Sequence, residues 1–233
     1  MREVMIGFDP RERRAYQVCA RSIIENTSIP PIIRPIGIST LGSMYCRKTE
    51  TRDGKLYDKI SDAPMSTEFA IARFYLPLIA HSHVVLFCDA DFMFRADLEE
   101  LFDRFDSRYA VQVVKNQHKA QESVKMDGQI QTDYPRKNWS SLMLWNMKHA
   151  GTRRLWFDDV TTKKGLWLHQ FSWLKDNEIG ELPVEWNHLV GVNQEDENAK
   201  AVHFTQGTPD MPGYENCEFA KEWLSYDSRI VAG

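Results

Sequence analysis

The chain has 233 residues, a hydrophobic fraction of 42%, a charged fraction of 27% and a formal net charge of -4. That length suits one α/β domain or two small ones, and the composition excludes a disordered chain. The slight negative charge gives no general pull toward nucleic acid or anionic membrane, so neither is expected as a partner.

No apolar run approaches the ~18–20 residues of a membrane helix, so no transmembrane segment is expected. The N-terminus lacks the basic and apolar regions of a signal peptide. Cys19, Cys46, Cys88 and Cys217 form no C-x-x-C pair, and a cytoplasmic, reducing setting is expected.

Val4-Met5-Ile6-Gly7-Phe8 predicts a first strand. Asp9 and Pro10 suit an N-cap and a first helical position, and Ala15, Val18, Cys19, Ser22 and Ile23 then recur at helical spacing. Ile32-Ile33-Arg34-Pro35-Ile36 predicts a strand near a sheet edge, because proline cannot donate to a central ladder. Residues 39–63 turn polar and predict a long loop with a short hairpin at Asp53-Gly54. Ser66-Thr67-Glu68 opens a helix carrying Phe69, Ile71, Ala72, Phe74, Tyr75, Leu78 and Ile79, which Pro77 bends or ends.

Val84-Val85-Leu86-Phe87-Cys88 is continuously apolar, as a strand covered on both faces should be. Asp89-Ala90-Asp91 follows it directly. A short helix over 97–105 and a strand over 109–114 come next, then a second polar stretch over 115–137. Ser141-Leu142-Met143-Leu144-Trp145-Asn146 returns to the core, and helical patterns follow over 153–159 and 166–176. Leu182-Pro183-Val184-Glu185-Trp186-Asn187 reads as extended and Ala201-Val202-His203-Phe204 as a late strand. A Gly/Pro loop over 208–216 and a helix over 219–224 close the chain. Strands alternating with helices predict an α/β fold: a mainly parallel mixed sheet flanked by helices, in one domain spanning 1–233.

Asp-x-Asp alone is weak, since acidic turns are common. Here the pair sits at the carboxyl end of an apolar strand, where open α/β sheets bind ligands. Two carboxylates so close repel unless a cation lies between them, and Mn²⁺ or Mg²⁺ takes oxygen ligands and bridges to phosphates. The chain has no G-x-x-x-x-G-K-(S/T) loop, no G-x-G-x-x-G and no G-x-S-x-G elbow. Phosphate neutralisation by a metal is the nucleotide chemistry that remains.

A series of segments resembles the GT-A glycosyltransferases of family 8, which include glycogenin and bacterial lipopolysaccharide galactosyltransferases. The segments are Phe8-Asp9, Ala72-Arg73-Phe74-Tyr75-Leu76-Pro77 and Val85-Leu86-Phe87-Cys88-Asp89-Ala90-Asp91. Trp139-Ser140-Ser141-Leu142-Met143-Leu144-Trp145-Asn146 is similar to the family's F-N-(A/S)-G-x-x-x-x-N strand. Leu182-Pro183-Val184-Glu185-Trp186-Asn187 is similar to L-P-x-x-(W/F)-N, and Val202-His203-Phe204 with Gly207 to I-x-H-(F/Y)-x-G.

The resemblance implies a GT-A fold and transfer of sugar from a nucleotide sugar, with a UDP-sugar as the expected donor and retained anomeric configuration. It implies Asp89, Asp91 and His203 as ligands of Mn²⁺ (or Mg²⁺), and Phe8, Asp9, Arg73, Ser140 and Gly207 along the donor, with Asp9 toward the nucleoside. Arg73 has an ordinary ion pair as its structural alternative, His203 a satisfied strand histidine, and Asp9 the N-cap already described. Gln170 aligns with the glutamine of the family's D-Q-D segment, so the implied catalytic set is Asp89, Asp91 and Gln170.

The departures are specific. His169-Gln170-Phe171 lacks both flanking acids, Ser140 replaces the family asparagine, and the closing K-P-W lysine is missing. Lys115 or Lys119 is a candidate to supply the missing positive charge. Residues 39–63 and 115–137 read either as an acceptor-side lid or as plain surface loops. The acceptor is open among glycan, lipid-linked sugar, protein and small molecule, and so is a homodimer. The rival readings are a sugar nucleotidyltransferase, which Phe8-Asp9-Pro10-Arg11 disfavours in place of a glycine-rich loop, and a degenerate scaffold of the same fold.

Overall fold

The computed structural model describes residues 2–116, 136 and 138–231. Strand β1 (Glu3–Gly7) leads to Asp9, which caps the 3-10 turn Pro10–Glu12 by accepting from Arg11 N. Helix α1 (Arg13–Asn26) buries the five residues expected from its spacing, and β2 (Ile32–Ile36) follows. Next come α2 (Ile38–Leu41), β3 (Thr49–Arg52), β4 (Lys55–Asp58) and β5 (Ala63–Pro64).

The helix expected after Thr67 forms as three pieces. They are α3 (Phe69–Ala72), a 3-10 turn Arg73–Tyr75 and α4 (Leu76–Ile79), with Pro77 in the first turn of the last. Then come β6 (Val84–Cys88), β7 (Phe92–Phe94), α5 (Leu98–Phe102), β8 (Val111–Val113) and β9 (Leu142–Asn146). The chain continues through α6 (Phe157–Thr162), α7 (Gly165–His169), β10 (Ile179–Glu181), β11 (His188–Leu189), β12 (Ala201–His203) and α8 (Ala220–Val231).

The central sheet has the order β10-β8-β9-β6-β1-β2. The β1–β2, β1–β6 and β8–β10 pairs are parallel, while β9 runs antiparallel between β6 and β8. The sheet is therefore mainly parallel, as expected, and β2 with its Pro35 lies at the edge.

Apolar continuity in β6 resolves into alternating sets, because successive side chains point to opposite faces. Met5, Val85, Phe87, Met143 and Trp145 pack on one side with Phe74, Tyr75 and Phe171. Val4, Ile6, Leu86, Cys88, Leu142 and Leu144 pack on the other with Cys19, Ile23, Phe92 and Phe94. Beyond that second face lies a small sheet, β11-β12-β7, whose Met93 and Val202 pack with Val18 and Trp223.

The expected helix over 166–176 is helical only over α7, and two further segments differ from expectation. Residues 182–187 contain a 3-10 turn, Val184–Trp186, rather than an extended run. Val184 is exposed while Trp186 is buried, so the turn swings the indole inward. Residues 39–63 hold the expected hairpin turn at Asp53-Gly54 but are otherwise largely ordered. Arg47 pins them: its guanidinium forks onto Asp58 at 2.8 and 2.6 Å and donates to the carbonyls of Val160 and Lys163 at 2.8 and 2.7 Å. Both partners of this ion pair are buried. The reading of this segment as a loose loop or lid gives way to a packed flap fastened to α6. Most of 115–137 lies outside the described residues.

Removing one partner of a buried ion pair strands the other charge, which typically costs ~3–5 kcal/mol. Asp58→Ala is therefore expected to lower the urea midpoint strongly, by that order, in equilibrium unfolding. A shift typical of an exposed ion pair, below ~1 kcal/mol, would contradict the pinning role.

Candidate metal and donor site

Asp89 and Asp91 leave the carboxyl end of β6 in the short reversal before β7. The β9 pairing runs one residue past the strand, with Asp89 N donating to Ser141 O at 3.0 Å. Strand β12 pairs antiparallel with β7, and its register sets His203 opposite Phe92. Phe204 N donates to Asp91 O at 3.0 Å, carrying that ladder to the edge of the turn. The His203 ring stacks on Phe92 with centroids 4.3 Å apart.

These two ladders bring the side chains together. Asp89, Asp91 and His203 each offer a ligand atom within 4.8 Å of one another. His203 Nε2 lies 3.3 Å from Asp91 Oδ1, which is buried and accepts no hydrogen bond. Two carboxylates and an imidazole make a hard, mixed O/N donor set that suits Mn²⁺ or Mg²⁺. The sequence expectation that these three converge is met in the geometry.

They line a cavity of about 320 Å³ with Glu12, Arg73, Ser140, Ser141, His169, Gly207 and further residues. Arg73 is the only Lys or Arg among the described lining residues, against the carboxylates of Glu12, Asp89 and Asp91. Arg73 Nη1 sits 2.7 Å from Asp89 Oδ1 and donates to Ser140 O at 2.8 Å. Its guanidinium lies 5.0 Å from the Phe87 ring centroid. The ion-pair alternative for Arg73 is thus real, but the pair is inside the cavity.

The acids respond to this crowding. Burial pushes Asp89 up to about 6, with Arg73 opposing and Asp91 adding to the rise. Burial also acts on Asp91, but the charge of His203, when its imidazole carries both protons, outweighs it and holds Asp91 below the usual carboxylate range. Burial, then the charges of Asp91, Asp9 and Asp89, raise Glu12 to about 8. The sequence reading did not single out Glu12. Its signal is an acid three residues after Asp9 in the turn that opens α1.

Several expected donor residues sit elsewhere. Asp9 is buried, and its carboxylate accepts from Arg11 N and Nε at 2.9 and 3.0 Å, from Arg11 Nη2 at 2.6 Å and from Glu68 N at 2.9 Å. It is consumed as a cap and does not line the cavity. Phe8 packs edge-on against Tyr16 at 5.2 Å and is likewise absent from the lining.

Gln170 caps α7 and does not line the cavity, and its carbonyl accepts from Arg136. His169, its neighbour, does line it, with Nδ1 2.8 Å from Ser140 Oγ. The substituted D-Q-D segment marked this region without indicating which residue turns inward. Lys115 Nζ donates to Ile179 O at 3.0 Å outside the cavity lining, and Lys119 lies outside the described residues.

No protein-family model matches the chain. Over 228 residues it is 41% identical to Protein CDI of Arabidopsis thaliana, covering 95% of this chain and 84% of that protein. Among solved structures it is similar to the bifunctional glycosyltransferase WbbM, with a TM-score of 0.60 and 16% identity. That match covers 97% of this chain, which spans about half (49%) of the WbbM chain. It is also similar to the galactosyltransferase LgtC in complex with donor and acceptor sugar analogs, with a TM-score of 0.55 and 14% identity over 98% of this chain and 96% of that one. These likenesses identify the fold as the GT-A fold of glycosyltransferases. Among the described residues, no helix is long and apolar enough to cross a membrane.

Asp9 gives a prediction with a sign. Burial works against its charge, but the Arg11 and Glu68 hydrogen bonds win and lower its pKa. Its stabilisation is therefore complete above the ordinary carboxylate pKa and is lost as pH falls through the lower folded value. Asp9→Ala is expected to cost ~0.5–2 kcal/mol near neutral pH, with the deficit shrinking in acid. Urea unfolding at several pH values measures this, and a deficit that grows in acid would refute the assignment.

Proposed function

This chain belongs to the family of Protein CDI of Arabidopsis thaliana, and we propose that it is a metal-dependent glycosyltransferase taking its sugar from a nucleoside-diphosphate sugar. The observation that carries this reading is the meeting of Asp89, Asp91 and His203 inside a cavity of a GT-A fold. LgtC, which shares that fold, is a galactosyltransferase that binds donor and acceptor sugar analogs, and this supports a sugar-transfer role. The expected donor is a UDP-sugar. The expected location is the cytoplasm, where the free thiols of Cys19 and Cys88, 3.8 Å apart, stay reduced.

In this reading Asp89, Asp91 and His203 hold Mn²⁺ or Mg²⁺. Such a cation supplies the positive charge that stabilises a departing diphosphate. The cavity favours that arrangement electrostatically. The Asp89 and Asp91 carboxylates face one guanidinium, so a diphosphate entering alone would meet net repulsion.

Arg73 keeps Asp89 in place and holds a fixed charge at the cavity wall. Ser140 and His169 offer hydrogen-bonding groups to a sugar where the family's acids are absent. Gln170 is not among the cavity-lining residues, and its amide is too poor a nucleophile for a double displacement. In this reading Asp89 and Asp91 are committed to the cation. Same-face attack by the acceptor hydroxyl, with the leaving phosphate taking its proton, needs no protein nucleophile and gives retention.

The test is release of nucleoside diphosphate from a panel of nucleotide sugars with Mn²⁺, with EDTA, and with Asp91→Ala. Activity is expected with a UDP-sugar. EDTA should abolish it, and Asp91→Ala should lower it at least ~10²-fold, the size of lost electrostatic stabilisation at a reacting oxyanion. Turnover by Asp91→Ala near the wild-type rate in saturating Mn²⁺ would overturn the reading.

A further inference from the structure

Behind His203 runs a chain of hydrogen bonds whose polarity can be worked out from its far end. Ser141 Oγ donates to the backbone carbonyl of Asn138 at 2.7 Å, and a carbonyl can only accept. The single Ser141 proton is therefore spent, and the oxygen is left to accept. Asn187 Nδ2 donates to it at 3.0 Å. That contact fixes which end of the Asn187 amide is nitrogen, and so the amide oxygen must face the other way.

The Asn187 Oδ1 atom lies 3.0 Å from His203 Nδ1. An amide oxygen cannot donate, so the proton of this bond belongs to Nδ1. Asn187 is 0% exposed and the His203 side chain 4%, so water does not compete for the bond. The Phe92 stack, 4.3 Å between centroids and 20° from parallel, blocks rotation of the imidazole. The atom left facing Asp91 is Nε2.

We infer that Asn187 is a positioning residue that holds the proton of His203 on Nδ1 and so reserves Nε2 as the ligand atom for a divalent cation shared with Asp89 and Asp91. The inference rests on the metal reading above and adds a residue that touches neither cation nor sugar. The outer partner of a ligating histidine fixes both its tautomer and its orientation. Here that partner is a neutral amide rather than a carboxylate, so it orients the ring without adding negative charge beside Asp89 and Asp91. Were Asn187 unable to accept, Nδ1 would lose its proton's partner. The proton could then sit on Nε2, where Asp91 Oδ1 at 3.3 Å would accept it and compete with the cation.

The experiment uses the full chain without donor. Mn²⁺ binding is followed by the electron paramagnetic resonance signal of free Mn²⁺, and the His203 tautomer by long-range ¹H–¹⁵N correlation spectra of the metal-free protein. Asn187→Leu removes the acceptor at similar volume. It is expected to weaken Mn²⁺ about 10–100-fold, the usual effect of losing an outer partner. It should also move the protonated-nitrogen signal of His203 off Nδ1.

Asn187→Asp restores an acceptor and should restore the Nδ1 signal. It also tests the role should the leucine variant not fold, because a merely structural asparagine has no reason to preserve the tautomer when changed to aspartate. Unchanged Mn²⁺ affinity in folded Asn187→Leu, or an Nδ1 signal absent from the wild type, overturns the positioning role. A wild type that binds no Mn²⁺ while Nδ1 stays protonated strikes the metal centre instead, so the two failures are told apart.

Discussion

The pairing of β12 with β7 is the constraint on which the site depends. It sets His203 opposite Phe92, one residue beyond Asp91, and it joins two parts of the chain more than a hundred residues apart. A slip of one residue would turn His203 to the opposite face of the small sheet and leave the two carboxylates without their nitrogen partner. Buried apolar contacts hold the register: Met93 and Val202 pack with Val18, Phe204 and Trp223 on one face, while Phe92 and Phe94 join the core beneath the central sheet. The hydrophobic core thus determines where an imidazole meets two acids.

Electrostatics then decide what such a site can hold. Asp89 and Asp91 stand close together at the cavity wall, and burial raises Asp89. One guanidinium, Arg73, cannot neutralise both Asp89 and Asp91. In the proposed reading a divalent cation would resolve the imbalance and supply the charge a diphosphate needs, linking the architecture of the cavity to sugar transfer. The same economy explains why the missing family lysine is tolerable in this reading: the cation and Arg73 carry the phosphate charge between them.

Much of this arrangement could be read from the sequence, for identifiable reasons. The run Val84–Cys88 is apolar at every position because both faces of β6 are covered, and Asp89 and Asp91 therefore had to sit at a strand end. Pro35 marked an edge because a central strand would have needed its amide. By contrast, β7 is three residues long, too short to show a period, and so the partner that positions His203 went unseen.

Asp9 shows a different limit: its type and spacing fit both a helix cap and a nucleoside contact, and the structure shows the cap, held by hydrogen bonds from Arg11 and Glu68. Gln170 and His169 are adjacent, and a short helix offers no pattern strong enough to say which faces inward. The order in 39–63 depends on one arginine reaching Asp58 and two carbonyls from α6, a long-range contact with no local trace.

The central claim is that an imidazole nitrogen and two carboxylates share one cation. It is tested most directly by electron spin-echo envelope modulation on the Mn²⁺-loaded protein with ¹⁵N-labelled histidine. Coupling to a single directly bound imidazole nitrogen is expected, and it should vanish in His203→Ala. Modulation from solvent protons alone, with no ¹⁵N coupling in the wild-type protein, would contradict the account.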